Sequence, residues 1–343
     1  MDTERYSRQI AFPGIGFAGQ EKLLRSSVTI IGLGALGSVI AEELARAGVG
    51  NLRLADRDYV ERSNLARQAM YTEKDADEQL PKAIAAANHI AEINPDVATE
   101  PIIADVNASN IESLVIGADV VLDGSDNFEL RALINEACVK HGIPWIYGGA
   151  IAADGAVMPI LPGKGPCFHC ITPTVPTPGA YPTCATAGII NMTSHTIASI
   201  EAAEAIKIIV GNPGDEAGKG ASKYLSIDLW NNDFDVTDIE RNSDCPVCGK
   251  GIYALLEKGI EEDMLLPLCT AGSFQIMPDT QGEIDLNALA ERLSAIGRVL
   301  HNPYLLRFDG EGVSFNLFRD GRAVIRNARD AADARSIYAE YIG

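Results

Sequence analysis

The chain has 343 residues, enough for about two domains. Its 47% hydrophobic and 22% charged content belongs to a globular protein and excludes a disordered one. Asp and Glu total 47 against 28 Lys and Arg, a net charge of −19. That balance argues against a nucleic-acid partner, because phosphate backbones are bound by Lys and Arg displacing counterions. No apolar run reaches the ~18 residues of a membrane span. The opening Met1-Asp2-Thr3-Glu4-Arg5 lacks the apolar core of a signal peptide. No membrane association and a cytoplasmic location are expected.

In chain order, Val28–Ile31 is a short β-branched run, followed by Gly32-Leu-Gly34-Ala35-Leu-Gly37 and a helical stretch from Ser38 to Ala47 that stops at Gly48. Asn51 to Asp56 reads as the next strand, Pro81 to Ile93 as an Ala-rich helix, and Ile102–Ala104 and Asp119–Asp123 as buried strands. Phe128 to His141 is a helix ending at Gly142, and Trp145–Gly148 opens another strand. Strands separated by helices of this size predict a Rossmann-like α/β fold: a mostly parallel sheet with helices on both faces. A Pro/Gly-rich stretch from Pro159 to Pro182 precedes an amphipathic helix from about Gly188 to Val210 and a strand at Tyr224–Leu229.

The rhythm then changes, which places a domain boundary at about residue 250 and divides the chain into 1–250 and 251–343. Phe274–Met277, Tyr304–Phe308, Val313–Phe318 and Ala323–Ile325 read as strands, with helices at Leu286–Ile296 and Asp330–Tyr341. Asp320-Gly321 is a hairpin signal. A small α+β domain with an antiparallel sheet is expected there.

The glycine motif follows a strand and opens a helix, the context in which Gly32, Gly34 and Gly37 let a backbone approach phosphate at a helix N-terminus. Asp56 ends the second strand, where a carboxylate can accept from ribose hydroxyls. That much suggests a dinucleotide and leaves ATP open. Asp58, Asn64, Arg67, Gln68 and Lys82 then crowd into a short stretch. Two cations there can grip a triphosphate. Asp123-Gly-Ser-Asp126-Asn127 lies at the carboxyl end of a predicted strand, where open α/β sheets bind ligands and where an acid beside phosphates can hold Mg²⁺. By residue type Asp126 fits equally well as the N-cap of the following helix.

Of the seven cysteines, Cys167/Cys170 and Cys245/Cys248 form two C-x-x-C pairs. Pairs of this kind in a long intracellular chain point to a tetrahedral Cys₄ zinc site, filled and therefore structural. Cys138 and Cys269 read as core residues, and His169 as a solvent-facing residue between ligands. Cys184 precedes a helix, which would favour its thiolate, though an inert loop cysteine fits as well.

Together these residues resemble the ThiF/MoeB/HesA adenylyltransferases, relatives of ubiquitin-activating enzymes. The resemblance covers about residues 4–250 and includes Arg5-Tyr-Ser-Arg8-Gln-Ile, the GLGALG turn and Ala47-Gly-Val-Gly-Asn51. It continues through Ser63-Asn64-Leu65-Ala-Arg67-Gln68, Pro81-Lys82, Asp123-Gly-Ser-Asp126-Asn127 and the four cysteines. It implies that ATP adenylates the C-terminal glycine of a ubiquitin-like sulfur carrier, ThiS for thiamine or MoaD for molybdopterin, in a homodimer. By motif, Asp56 would hold the ribose, Asn64, Arg67 and Lys82 the phosphates, and Asp126 would act with Mg²⁺. Arg8 would reach the neighbouring subunit's site, and Cys184 stands where some relatives carry a sulfur-transfer cysteine. Gly32, Gly34, Ala35, Gly37, Asp58, Ser63, Leu65, Gln68 and Asn127 would line the nucleotide. Ala35 replaces a common Gly, and Gln79 stands where relatives often have Gly ahead of the lysine. Competing readings are an NAD-dependent oxidoreductase and adenylation of a different peptide or acyl substrate.

Overall fold

The computed structural model describes residues 4–176, 184–211, 221–258, 265–267, 273–277 and 283–343. Cys269 and the loop ahead of Cys184 lie outside the described residues, as does the Cys184 side chain. The chain forms two compact units: Met1–Ala76 with Lys82–Gly259, and Asp77–Pro81 with Ile260–Gly343.

The first unit is built on an eight-stranded sheet. Its strands are β1 (Ser27–Ile31), β2 (Asn51–Asp56), β3 (Ala98–Ile103), β4 (Val120–Asp123), β5 (Trp145–Ile151), β6 (Asp154–Ile160), β7 (Ala221–Asp228) and β8 (Asp233–Glu240), in the order β3-β2-β1-β4-β5-β6-β7-β8. From β3 to β5 every pairing is parallel; from β5 to β8 every pairing is antiparallel. The helices of eight residues or more in this unit are α1 (Gly16–Arg25), α2 (Gly37–Ala47), α3 (Lys82–Ile93), α4 (Phe128–His141) and α5 (Asn191–Val210). Helix α5 packs with α1 and α2 on one side of the sheet. Helix α4 packs on the other, in a core that joins Ile111, Val121, Leu133, Trp145 and Phe168. The expected layering, with helices on both faces, is therefore present.

Local chemistry accounts for the helix limits. Helices α2, α4 and α5 each end on a glycine in the left-handed conformation, Gly48, Gly142 and Gly211, which closes the last turn without a Cβ clash. The chain runs β1 to β2 to β3 in one direction and returns to β4 on the other side of β1. This reversal falls at the carboxyl ends of β1 and β4, the position where open α/β sheets hold ligands.

The second unit carries a six-stranded sheet of β9 (Leu265–Pro267), β10 (Phe274–Ile276), β11 (Arg298–His301), β12 (Leu305–Asp309), β13 (Ser314–Phe318) and β14 (Ala323–Arg326). The order is β11-β12-β13-β14-β10-β9 and all pairings are antiparallel. Helices α6 (Leu286–Leu293) and α7 (Ala331–Tyr341) bury Leu289, Leu293, Ala334 and Ile337 against Leu306, Phe308, Phe315, Leu317 and Ile325. The predicted hairpin joins β13 to β14, with Gly321 at φ 87°.

Candidate nucleotide site and cysteine cluster

The turn after β1 is shaped by close packing. A Cβ on Gly32, which has φ 88°, would stand 2.5 Å from the Gly124 carbonyl oxygen, and one on Gly37 only 1.9 Å from the Gly32 oxygen. The turns after β1 and β4 thus lie against each other, which any side chain at Gly32 would prevent. Gly34 is different: a Cβ there would meet nothing closer than the Gln68 amide at 3.9 Å, leaving room for a ligand beside the backbone.

Asp56 is buried, and its carboxylate accepts from the N–H groups of Leu33 and Asp58, both at 2.6 Å. Burial pushes this carboxyl up, against the pull of Lys82. Lys82, the first residue of α3, is only 6% exposed and donates from Nζ to Asp58 Oδ2 at 3.2 Å. Its backbone N–H is held by the Asp58 carbonyl at 2.9 Å. Burial lowers the lysine pKa, but Asp58, Asp56 and Asp126 together raise it above the ordinary value, so the ammonium persists. Tyr71, beneath them, donates to the Leu33 carbonyl at 2.9 Å and ties this cluster to the glycine turn.

Asp126 is exposed at the carboxyl end of β4. The helix cap that its residue type allows falls instead to Asn127, whose side-chain oxygen accepts from Leu130 N–H at 2.8 Å. The loop around Asp126 is set by a residue that sequence reasoning missed. Arg131 is buried and donates from Nε to Asp123 at 2.9 Å and from Nη2 to the carbonyls of Ser125 and Gly148, each at 3.0 Å. Asp123, fully buried, also accepts from the Ser125 N–H at 2.9 Å and hydroxyl at 2.6 Å. Burial pushes Asp123 up while Arg131 and Ser125 pull it back. Three hydrogen bonds reach this carboxylate, two from Ser125 and one from the guanidinium it pairs with.

Arg57 was also missed. It pairs with Asp105 at 3.2 Å and approaches Asp58 at 4.0 Å, and the charges of Asp58, Asp105 and Asp126 hold its proton. Its position directly after Asp56 was the available signal.

The other expected residues are more dispersed. Asn64 is buried and caps a short turn, accepting from Glu61 N–H at 3.2 Å, while the half-buried Arg67 donates to the Ser63 carbonyl at 2.9 Å. Ser63 is exposed, and Ala35 and Leu65 are half-buried. Gln68 is buried, and its Oε1 finds no donor among the described residues. Arg8 is exposed on the four-residue helix Ser7–Ile10. Cys184 opens a four-residue helix, Cys184–Ala187, separate from α5. Cys138 is buried in the core, where burial raises its thiol pKa.

Cys167, Cys170, Cys245 and Cys248 converge, their four sulfurs within 4.8 Å of one another. Cys167–Cys245 are 3.7 Å apart and Cys170–Cys248 3.5 Å. A tetrahedron of ~2.3 Å Zn–S bonds has sulfur–sulfur edges of about 3.8 Å, so the donor set and spacing fit a metal such as zinc. The core supports it, with Phe168 against Trp145 at 6.0 Å and Tyr147 at 5.0 Å, and its N–H bonded to Asn135 at 2.9 Å.

Fold and site together define a nucleotide-binding α/β domain carrying a separate four-cysteine cluster. Residues 6–247 match the ThiF family, and the chain belongs to it. The sulfur carrier protein ThiS adenylyltransferase of Bacillus subtilis is 41% identical, covering 99% of this chain and 100% of that protein. The SAMP-activating enzyme E1 of Haloferax volcanii is 40% identical over 72% of this chain and 89% of its own. Among solved structures, E. coli MccB with ATP superposes with a TM-score of 0.62 at 24% identity, over 71% of this chain and 73% of that one, a likeness of fold. No helix among the described residues is long and apolar enough to cross a membrane.

Proposed function

We propose that the chain is an adenylyltransferase that uses ATP to activate the C-terminal glycine of a ubiquitin-like sulfur carrier of the ThiS or MoaD type, for thiamine or molybdopterin synthesis. The observation that carries this reading is the buried Lys82 beside Asp56, Asp58 and Asp126, over a glycine turn that stays open at Gly34. The NAD-dependent reading leaves this buried cation and Asp126 unexplained. The 41% identity to a ThiS adenylyltransferase over the full chain supports the same conclusion.

In this reading residues 1–250 form the adenylation domain. Asp56 keeps lone pairs for ribose hydroxyls, and the orphaned Gln68 Oε1 is satisfied by a hydroxyl or amine of the nucleotide. Gly34, Ala35 and Gly37 bring backbone N–H groups to the phosphates, and Gly32, whose own N–H is held by the Ala55 carbonyl at 2.8 Å, shapes the turn. Lys82 exchanges Asp58 for a phosphate oxygen, and Arg67 turns from the Ser63 carbonyl to join it. Asp58, Ser63, Asn64, Leu65 and Asn127 shape the walls. Asp126 would hold Mg²⁺, which would neutralise phosphate charge during transfer.

The carrier's terminal carboxylate, ionised at neutral pH, needs no general base. It attacks the α-phosphorus, a new carboxyl O–P bond forms, the α–β bond breaks and pyrophosphate leaves. Lys82 and Arg67 stabilise the charge that builds on the equatorial and leaving oxygens. Arg8, exposed, would act on the neighbouring site of a homodimer. The four cysteines would hold a structural Zn²⁺ with no open position.

ATP–pyrophosphate exchange with each carrier offered separately tests this. Exchange that needs a carrier's intact C-terminal glycines supports the assignment and names the pathway. Silence with both carriers, with exchange appearing on another peptide or acyl substrate, overturns it.

A further inference from the structure

Two short helices flank the cysteine cluster, and neither caps itself. Phe168–Ile171 starts directly after Cys167 and carries Cys170; Cys167 is its N-cap and makes no side-chain cap bond. Ala254–Glu257 follows the second pair, with Tyr253 as an N-cap that likewise makes none. The chain between is tightly turned. Gly249 and Lys250 N–H groups meet the Cys245 carbonyl at 2.9 and 3.0 Å, and Ile252 N–H meets the Pro246 carbonyl at 2.9 Å. Only Tyr253 then separates this turn from the second helix. Helices of four residues do not hold themselves in water, and their first N–H groups need acceptors from elsewhere.

Both sets of acceptors come from adjacent residues of α4. Asn135, 1% exposed, accepts on Oδ1 from Phe168 N–H at 2.9 Å. Glu136, also buried, accepts on Oε2 from Leu255 N–H at 2.9 Å and Leu256 N–H at 3.1 Å. Successive side chains of a helix diverge by about 100°, so the pair can reach two neighbouring segments of chain. One segment carries the first cysteine pair and the other backs onto the second. Cys167, Cys245, Phe168, Leu255 and Leu256 share one apolar core, and all of them lie in the first unit.

We propose that Asn135 and Glu136 are positioning residues for the metal that the four cysteines would hold: α4 caps both cysteine limbs from outside and sets the two pairs of sulfurs facing each other. The proposal rests on the reading of the cysteines as a zinc site. It gives two buried polar side chains of α4 a shared purpose, since a limb that is already placed has less ordering left to do when the metal binds.

The test is competition for zinc between the zinc-loaded full chain and a chelator of known affinity, read by the absorbance of the chelator complex. Groups that orient metal ligands are worth about 10–100-fold in metal affinity. Asn135 and Glu136 hold backbone near the ligands and not the sulfurs themselves, so Asn135→Leu and Glu136→Ala are each expected to weaken zinc about tenfold, the low end of that range. Glu136→Gln keeps an oxygen for Leu255 and Leu256 and is expected to recover most of the affinity. Ile134→Val, a buried change on the same helix that removes neither acceptor, should bind zinc as the wild type does. Wild-type affinity in Glu136→Ala, an equal loss in Glu136→Gln, or an equal loss in Ile134→Val overturns the proposal. Should Asn135→Leu fail to fold, the Glu136 variants decide alone. A wild type that holds no zinc defeats the cysteine reading and the proposal with it; zinc held equally by the wild type and both acceptor variants defeats the proposal only.

Discussion

Replacing Arg131 by Met keeps much of the side-chain volume and removes a charge together with the donors to Asp123, Ser125 and Gly148. Asp123 is fully buried, so the deletion leaves a carboxylate with only the Ser125 N–H and hydroxyl. Breaking a buried pair in this way costs about 3–5 kcal/mol, whereas an exposed pair such as Lys223–Asp238, 72% and 69% exposed, is worth about 0–1 kcal/mol. Burial decides between the two values. In a unit of this size the larger one lowers Tm by on the order of 10 °C. The sign with pH also follows. Without Arg131 the Asp123 carboxyl rises further above its ordinary 3.8. The folded variant then binds more protons than its unfolded chain, and its deficit against the wild type grows as pH rises from 4 to 8. Urea and thermal unfolding of the single variants and of Arg131→Met/Asp123→Asn measure the pair. The double variant is expected to recover part of the loss, because it leaves no unpaired charge. A loss below about 1 kcal/mol in Arg131→Met, or simple additivity in the double variant, would refute the reasoning.

Asp126→Ala is expected to abolish carrier-dependent exchange while changing stability by no more than about 0.5 kcal/mol, since Asp126 is exposed and Asn127 caps the helix; near wild-type exchange would show the acid to be misassigned. Metal analysis of unchelated protein should find one zinc per chain, lost in Cys170→Ser/Cys248→Ser; a metal-free preparation that folds fully would remove the cysteine argument. Glu201 is fully buried, with its carboxyl where a Cβ on Gly148 would clash, and burial followed by the charge of Asp123 pushes it well above 4.5. A carboxyl raised in the folded state stabilises below its unfolded pKa and loses that contribution as pH rises. Glu201→Gln should therefore gain on the wild type as pH increases above 4.5, and parallel stability curves would contradict this.

The parallel half of the first sheet was largely legible because β1 and β4 are short apolar runs and α2 and α4 carry Gly stops, whereas the edge strand β3, Ala98–Ile103, has no buried residue and was read only at Ile102–Ala104 and as buried. Phe128–His141 was bounded to the residue, and Asn51–Asp56 likewise. The antiparallel half was only partly legible. Strand β8 reads Asp-Phe-Asp-Val-Thr-Asp-Ile-Glu, and seven of its eight residues are exposed, so alternation has no buried face to report. Strand β11 is missed for the same reason, with Arg298, Leu300 and His301 all exposed. Periodicity reports burial, and a strand held by backbone pairing at a sheet edge produces little of it.

Site residues divide along a different line. Gly32, Asp56, Lys82 and Asp126 follow one another in a motif whose spacing reflects strand ends, so the sequence order already contains their convergence. Arg131 carries no such mark. An arginine three residues into a helix reads as a surface cation, and only the fold reveals that Asp123, Ser125 and Gly148 surround it on all sides. The ambiguity at Asp126 shows the middle case. Asp and Asn are both good caps, and the sequence Asp126-Asn127 cannot say which one turns inward. The backbone decides: Asn127, at φ −136° and ψ 149°, points its oxygen at Leu130 N–H, and the aspartate beside it remains exposed at the end of β4. A carboxylate spared from capping stays available at the strand terminus, and its charge helps to hold the proton on the buried Lys82.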